Sequence, residues 1–108
     1  MINVEVWLVD GKDSKTKRIR VSGHAFYSDP GKDIVCSSVS TATILTANLI
    51  EDICPEYKIT NDENNAIIDI EIISLDEVSF KIMNNLYRSI IELKTQFPKY
   101  IKLGTKIL

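Results

Sequence analysis

Histidine is almost missing from this chain. One occurs in 108 residues, beside two cysteines, three prolines, four glycines and one tryptophan. A lone histidine without a cysteine cluster argues against a zinc site. The cysteines, Cys36 and Cys54, stand 18 positions apart with no C-x-x-C, which argues against a disulfide framework and a paired redox motif. A basic excess is also lacking: net charge is −2 and the pI about 5.3, the wrong sign for a general nucleic-acid binder. No stretch reaches the roughly 18–20 continuous apolar residues of a membrane span. The start, Met1-Ile2-Asn3-Val4-Glu5-Val6, lacks a basic region followed by an apolar run, so no signal peptide is expected. A reducing cytoplasm is the simplest compartment, and nothing in the pattern asks for a cofactor or a metal.

The composition, 44% hydrophobic and 26% charged, is that of an ordinary globular protein, and the length suits one domain over residues 1–108. Residues 2–9 alternate, with Ile2, Val4, Val6 and Leu8 on one side, and predict a strand. Asp10-Gly11 starts a turn, and residues 15–22 complete a hairpin. Residues 25–32 contain the turn formers Ser28-Asp29-Pro30-Gly31 and predict a loop. A helix is expected over 34–53, capped by Asp33, with Val35, Val39, Ala42, Leu49 and Ile53 facing the core and Pro55 ending it. Residues 57–60 and 66–73 read as a second hairpin around Asn61–Asn65, the isoleucine-rich arm being an interior strand. Ser74-Leu75-Asp76-Glu77 fits a capping box for a helix whose stripe runs Leu75, Val78, Ile82, Leu86, Ile90, Leu93 and Phe97, widened by Met83 and Tyr87. Residues 100–107 form a last strand, with Gly104 a candidate bulge. The order is β-β-α-β-β-α-β, an α+β sandwich with two helices packed on a mixed or antiparallel sheet. No internal repeat or linker interrupts it.

Chemistry concentrates between residues 23 and 40. With Asp33 as cap, Cys36 falls in the first helical turn, among free N–H groups and at the positive end of the helix dipole, where a thiolate is favoured. His24 follows a strand and Gly23, and an imidazole is the usual base for such a thiol. The plain alternatives are a buried cysteine acting as a small hydrophobe and a turn histidine. Asp33 admits two roles, cap or orienting partner of His24, and the cap is preferred because the helix needs a start. Ser38 and Ser40 are hydrogen-bonding neighbours or small packing residues. Phe26 and Tyr27, in the loop that ends at Gly31, either line a substrate pocket or anchor the loop. Cys54 has no base in view and reads as structural. The Cys36 N–H is an oxyanion donor only if the cap leaves it free.

Gly23-His24-Ala25, a turn-rich loop, then Gly31-x-Asp33-Ile34-Val35-Cys36 and small residues resemble the ribosomal-processing cysteine protease family, Prp. Length and element order extend the likeness over the whole chain. Family members favour alanines after the cysteine, where this chain has Ser37 and Ser38. The resemblance implies a cytoplasmic homodimeric endopeptidase. Its substrate would be the short N-terminal extension of a large-subunit ribosomal protein, cut after an aromatic pair. Cys36 would be the nucleophile, His24 the base, and the intervening loop a movable cover. Two other readings stand beside it. A non-catalytic ribosome-associated or RNA-binding domain is disfavoured by the acidic pI. A thiol-redox protein is disfavoured because Cys36 and Cys54 would lie about 27 Å apart along one helix.

Overall fold

The computed structural model describes residues 1–11, 15–23 and 30–108, without the side chains of residues 11 and 30–33. Among the described residues, five strands and two long helices follow in the order β1 (Ile2–Leu8), β2 (Thr16–Ser22), α1 (Pro30–Ile53), β3 (Tyr57–Asp62), β4 (Ile67–Ile72), α2 (Glu77–Gln96) and β5 (Ile101–Ile107). A short 3-10 turn, Val9–Gly11, joins β1 to β2. The strands form one mixed sheet in the order β3-β4-β2-β1-β5, with only the β1–β5 pair parallel. This is the α+β fold that the alternating strands predict, and β4 is interior as its isoleucines suggest.

Alternation decides which face of the sheet meets the helices. Ile2, Val4, Val6 and Leu8 of β1, Ile19 and Val21 of β2, and Ile68, Ile70 and Ile72 of β4 are buried in one core. The opposite face is charged and internally paired. Arg18 Nε donates to Asp69 Oδ1 at 2.9 Å, Lys17 Nζ meets Glu71 at 2.6 Å, and Lys106 Nζ meets Glu5 at 2.7 Å. Trp7 lies on this face between two cations, with the Arg18 guanidinium 4.3 Å and the Lys106 ammonium 5.0 Å from its ring centre. The hydrogen bonds that Asp69 accepts hold the Arg18 guanidinium pKa above its usual value.

The helices differ from expectation in where they start and which face they bury. The core stripe of α1 is Val35, Val39, Thr43, Ala47 and Ile50, continued by Cys54 just past its end, while Leu49 and Ile53 are 43% and 50% exposed. Beyond Val39 the stripe is therefore turned by one residue from the expected one. Thr43 is tolerated in the core because its hydroxyl donates to the Val39 carbonyl at 2.7 Å. Ile34–Ile53 is also long and apolar enough, on average, to cross a membrane, which a search for continuous apolar runs passes over. In this fold one side of it packs on the sheet.

α2 is capped by Asp76, not by Ser74: Asp76 Oδ1 accepts from the Ser79 N–H at 2.9 Å. Its buried stripe is Ser79, Met83, Leu86, Tyr87 and Ile90. Leu75 and Val78 are 51% and 52% exposed, because the helix begins after one and turns the other outward. Ser79 Oγ stands 2.8 Å from Asp76 Oδ2 and 3.0 Å from Cys54 Sγ. A hydroxyl has one proton and a carboxylate only accepts, so Ser79 donates to Asp76 and accepts from the thiol. These bonds hold the Asp76 carboxyl below the usual range, the Ser79 N–H contributing most. Cys54 is thus a structural tie between the end of α1 and the start of α2.

Gly104 is not a bulge. Its pairing with Glu5 lies in an unbroken register from Ile2↔Ile101 to Leu8↔Ile107, and the irregularity falls instead between Trp7 and Leu8 in the β1–β2 pair.

The β3–β4 turn carries a residue that does not suit it. Asp62 accepts from the Asn65 N–H at 3.1 Å and from Asn65 Nδ2 at 2.7 Å, as a turn-forming aspartate should. Yet the left-handed position, φ 52°, is occupied by Ala66. A Cβ there is disfavoured, and glycine is not. Ala66→Gly is expected to stabilise the fold by about 0.5–1 kcal/mol in chemical denaturation; a loss of stability would contradict the turn geometry.

Candidate active site

Strand register gathers several chain segments at one end of the sheet. Ser22, the last residue of β2, pairs with Asn3 of β1 and with Ile67, the first residue of β4. Ile67 pairs with Asp62, the last residue of β3, and Ile2 pairs with Ile101, the first residue of β5. The chain leaves this end through Gly23, which precedes His24 in the sequence, and the next described residue is Pro30, where α1 begins. Gly23 is required by its surroundings: φ is +84°, and a Cβ would come 2.5 Å from the Met1 carbonyl oxygen. The next amide, Ile2 N–H, donates to the Tyr100 carbonyl at 2.9 Å. Gly23 is thus seated on Met1, and the adjoining Ile2 on the entry to β5.

α1 starts at this end. It begins at Pro30, three residues before Asp33, so Asp33 is an interior residue of the first turn and not the cap. That displacement exceeds the one or two residues by which helix ends are ordinarily ambiguous. The reason is Pro30 itself: fixed φ and no N–H suit the first helical position. Cys36 then becomes the seventh helical residue, in the second turn. Only about the first four N–H groups of a helix lack partners, so the Cys36 N–H is committed to the ladder and is no oxyanion donor. The helix-dipole contribution falls off within the first turn and is correspondingly weakened at Cys36.

Cys36 is half-buried and packs against the core, between the fully buried Val35 and Val39. It is neither exposed nor entombed. Ser38 Oγ donates to the Ile34 carbonyl at 2.9 Å, a bond within its own helix. His24, Phe26 and Tyr27 lie outside the described residues, as does the side chain of Asp33; Gly31 contributes helical backbone only. Both cysteines are free, and they sit near opposite ends of α1. Among the described residues no three His, Cys, Asp or Glu side chains cluster to hold a metal ion.

Residues 1–102 match the family model described as cysteine protease Prp. The chain belongs to the Prp family. No curated relative matches it. Three solved structures share its fold. The ribosomal processing protease Prp from S. aureus, in complex with a substrate peptide, is 21% identical, with 98% of this chain and 100% of that chain covered and a TM-score of 0.88. SMU.848 from Streptococcus mutans is 22% identical over 100% of this chain and 96% of its own, with a TM-score of 0.86. S. aureus Prp with a covalently linked product peptide is 22% identical over 98% of this chain and 100% of that chain, with a TM-score of 0.81. At these identities the likeness establishes the fold.

Sequence reasoning overlooked the part played at this end of the Prp fold by Met1 and Tyr100. The signal was available only in part: Gly23 after a strand suggests an unusual backbone, but not what approaches it. Gly23→Ala is expected to cost about 1–3 kcal/mol of stability, measured by denaturant titration. A cost under about 0.5 kcal/mol would mean that Met1 does not hold this end of β2.

Proposed function

We propose that this chain is a ribosomal-processing cysteine endopeptidase that removes a short N-terminal extension from a large-subunit ribosomal protein. What carries the reading is the family match over residues 1–102, which spans His24, Cys36 and the residues between them. The half-buried Cys36 near the start of α1, the element that follows β2 and His24 in the chain, supports it.

The proposed reaction is acyl transfer. His24 takes the Cys36 proton, and Cys36 Sγ attacks the scissile carbonyl. The C–N bond breaks as the imidazolium returns its proton to the leaving amine. Water then hydrolyses the thioester, His24 again acting as base. With the Cys36 N–H committed to the helix, the unpaired N–H groups nearest along α1 are those of Gly31, Lys32 and Asp33, and we assign oxyanion stabilisation to this turn. Asp33 is no longer needed as the cap, so orienting His24 is the role left to it. Activation then rests mainly on the imidazole, since a thiol in the second turn gains little from the dipole.

Cytoplasmic residence and a homodimer belong to the same proposal. A groove between the helices, lined by Leu45, Leu49, Ile82 and Leu86, is the apolar surface a second copy would cover.

Cleavage of a peptide spanning the extension of a large-subunit ribosomal protein tests the reading. Cys36→Ala is expected to abolish it with the circular dichroism spectrum intact, and His24→Ala to slow it by about 10²–10⁴-fold. Full activity of Cys36→Ala would defeat the assignment, and a loss of only a few-fold would make His24 a spectator.

A further inference from the structure

The sheet face away from the helices holds charges that do not balance. Lys17, Arg18, Arg20, Lys58, Lys102 and Lys106 stand there against Glu5, Asp62, Asp69 and Glu71, a local excess of +2 on a chain whose net charge is −2, so the remainder carries −4. The acidic pI therefore conceals a basic face, and segregation of this kind draws an anionic partner to one side of a molecule. Three of the four carboxylates are engaged: Glu5 by Lys106, Asp69 by Arg18 and Glu71 by Lys17. Among the described residues, no ion pair or side-chain hydrogen bond engages Arg20, Lys58 or Lys102.

Register sets these three cations on one diagonal. Lys58 lies in the row of Glu71, Arg18, Trp7 and Lys106; Arg20 lies in the next, with Asp69 and Glu5; Lys102 lies in the one after, with Ser22 and Asn3. Each step crosses two strands and two residues, about 12 Å at ordinary sheet spacings, close to the separation of alternate phosphates along an extended nucleic-acid strand. Arg20 and Lys58 also line a groove of about 300 Å³ over β3, β4 and β2, together with Arg18, Thr60, Asp62 and Asp69. Arg18 is fixed there: Asp69 accepts from its Nε at 2.9 Å, and its guanidinium lies 4.3 Å from the centre of the Trp7 ring. Planar bases stack on guanidinium groups, and Thr60 and the carboxylates are acceptors for base amino groups and for the ribose 2′-hydroxyl. An acidic peptide has no use for the guanidinium plane and is repelled by those carboxylates.

We propose that this face of the sheet binds single-stranded RNA, with a base stacked on Arg18 in the groove and the phosphates following Lys58, Arg20 and Lys102. The proposal stands apart from the protease reading, and none of these side chains takes part in the chemistry described above.

Fluorescence anisotropy of a labelled single-stranded RNA about ten nucleotides long, titrated between about 50 and 200 mM salt, tests it. Three phosphates at about −0.7 each give an expected slope of log K against log salt near −2. The triple variant Arg20→Gln, Lys58→Gln, Lys102→Gln is expected to bind at least about tenfold more weakly and to flatten that slope. Arg18→Lys keeps the charge and removes the plane; it is expected to weaken binding at least about fivefold with the slope unchanged. No binding at the lower salt, full affinity in the triple variant or in Arg18→Lys, or equal binding of DNA of the same sequence overturns the proposal. So does displacement of the RNA by a polyglutamate peptide of the same length, or self-association of the free protein that the triple variant abolishes.

Discussion

The seating of the first residues of β1 between Gly23 and Tyr100 is the contact on which the candidate site depends. β1 is buried along one face by Ile2, Val4, Val6 and Leu8, and pairs with β2 on one side and β5 on the other. Its partner β5 comes from the far end of the chain, so this parallel pairing closes the fold across nearly the whole sequence. Where it begins, Met1 blocks any side chain at position 23 and Ile2 bonds to Tyr100. Gly23, the last described residue before His24, and Tyr100, which follows α2, are thereby linked through two residues of backbone.

The start of α1 governs the chemistry that this frame can support. A helix beginning at Asp33 would have set Cys36 among unpaired N–H groups; one beginning at Pro30 sets it a turn deeper. In the proposed reaction the difference moves the weight of activation from the helix terminus to the base. It would also separate two functions that a first-turn cysteine would combine, since the unpaired donors precede the sulfur by three to five residues. Cys54, by contrast, is bound to Ser79 and through it to Asp76, and its role is complete without chemistry.

Much of the fold is legible because its signals are local. Alternation in β1 and β2 and the isoleucines of β4 identify strands and their buried sides, as period two must when one face is covered. The errors occur where a position has two reasonable fillers. Ser74 and Asp76 are both good caps, and only the Ser79 N–H decides between them. Ala42 looks more suited to the core than Thr43, until Thr43 satisfies its hydroxyl on Val39. Asp33 looks like a cap because Pro30 reads first as a turn residue, although proline serves equally at the first position of a helix. The motif halves around His24 and Cys36 are visible in the sequence, whereas the bond from Ile2 to the Tyr100 carbonyl is not. Nothing at positions 97–100 signals that this stretch returns to the other end of the chain.

The account turns on His24 making the Cys36 sulfur nucleophilic, and the pH dependence of Cys36 alkylation measures that without any substrate. Site-resolved alkylation by mass spectrometry, with and without His24→Ala, is the direct test. Near neutral pH the parent protein should react at least about tenfold faster than the variant, the two converging above about pH 9, where an unassisted thiol ionises by itself. Superimposable profiles across the whole range would contradict it.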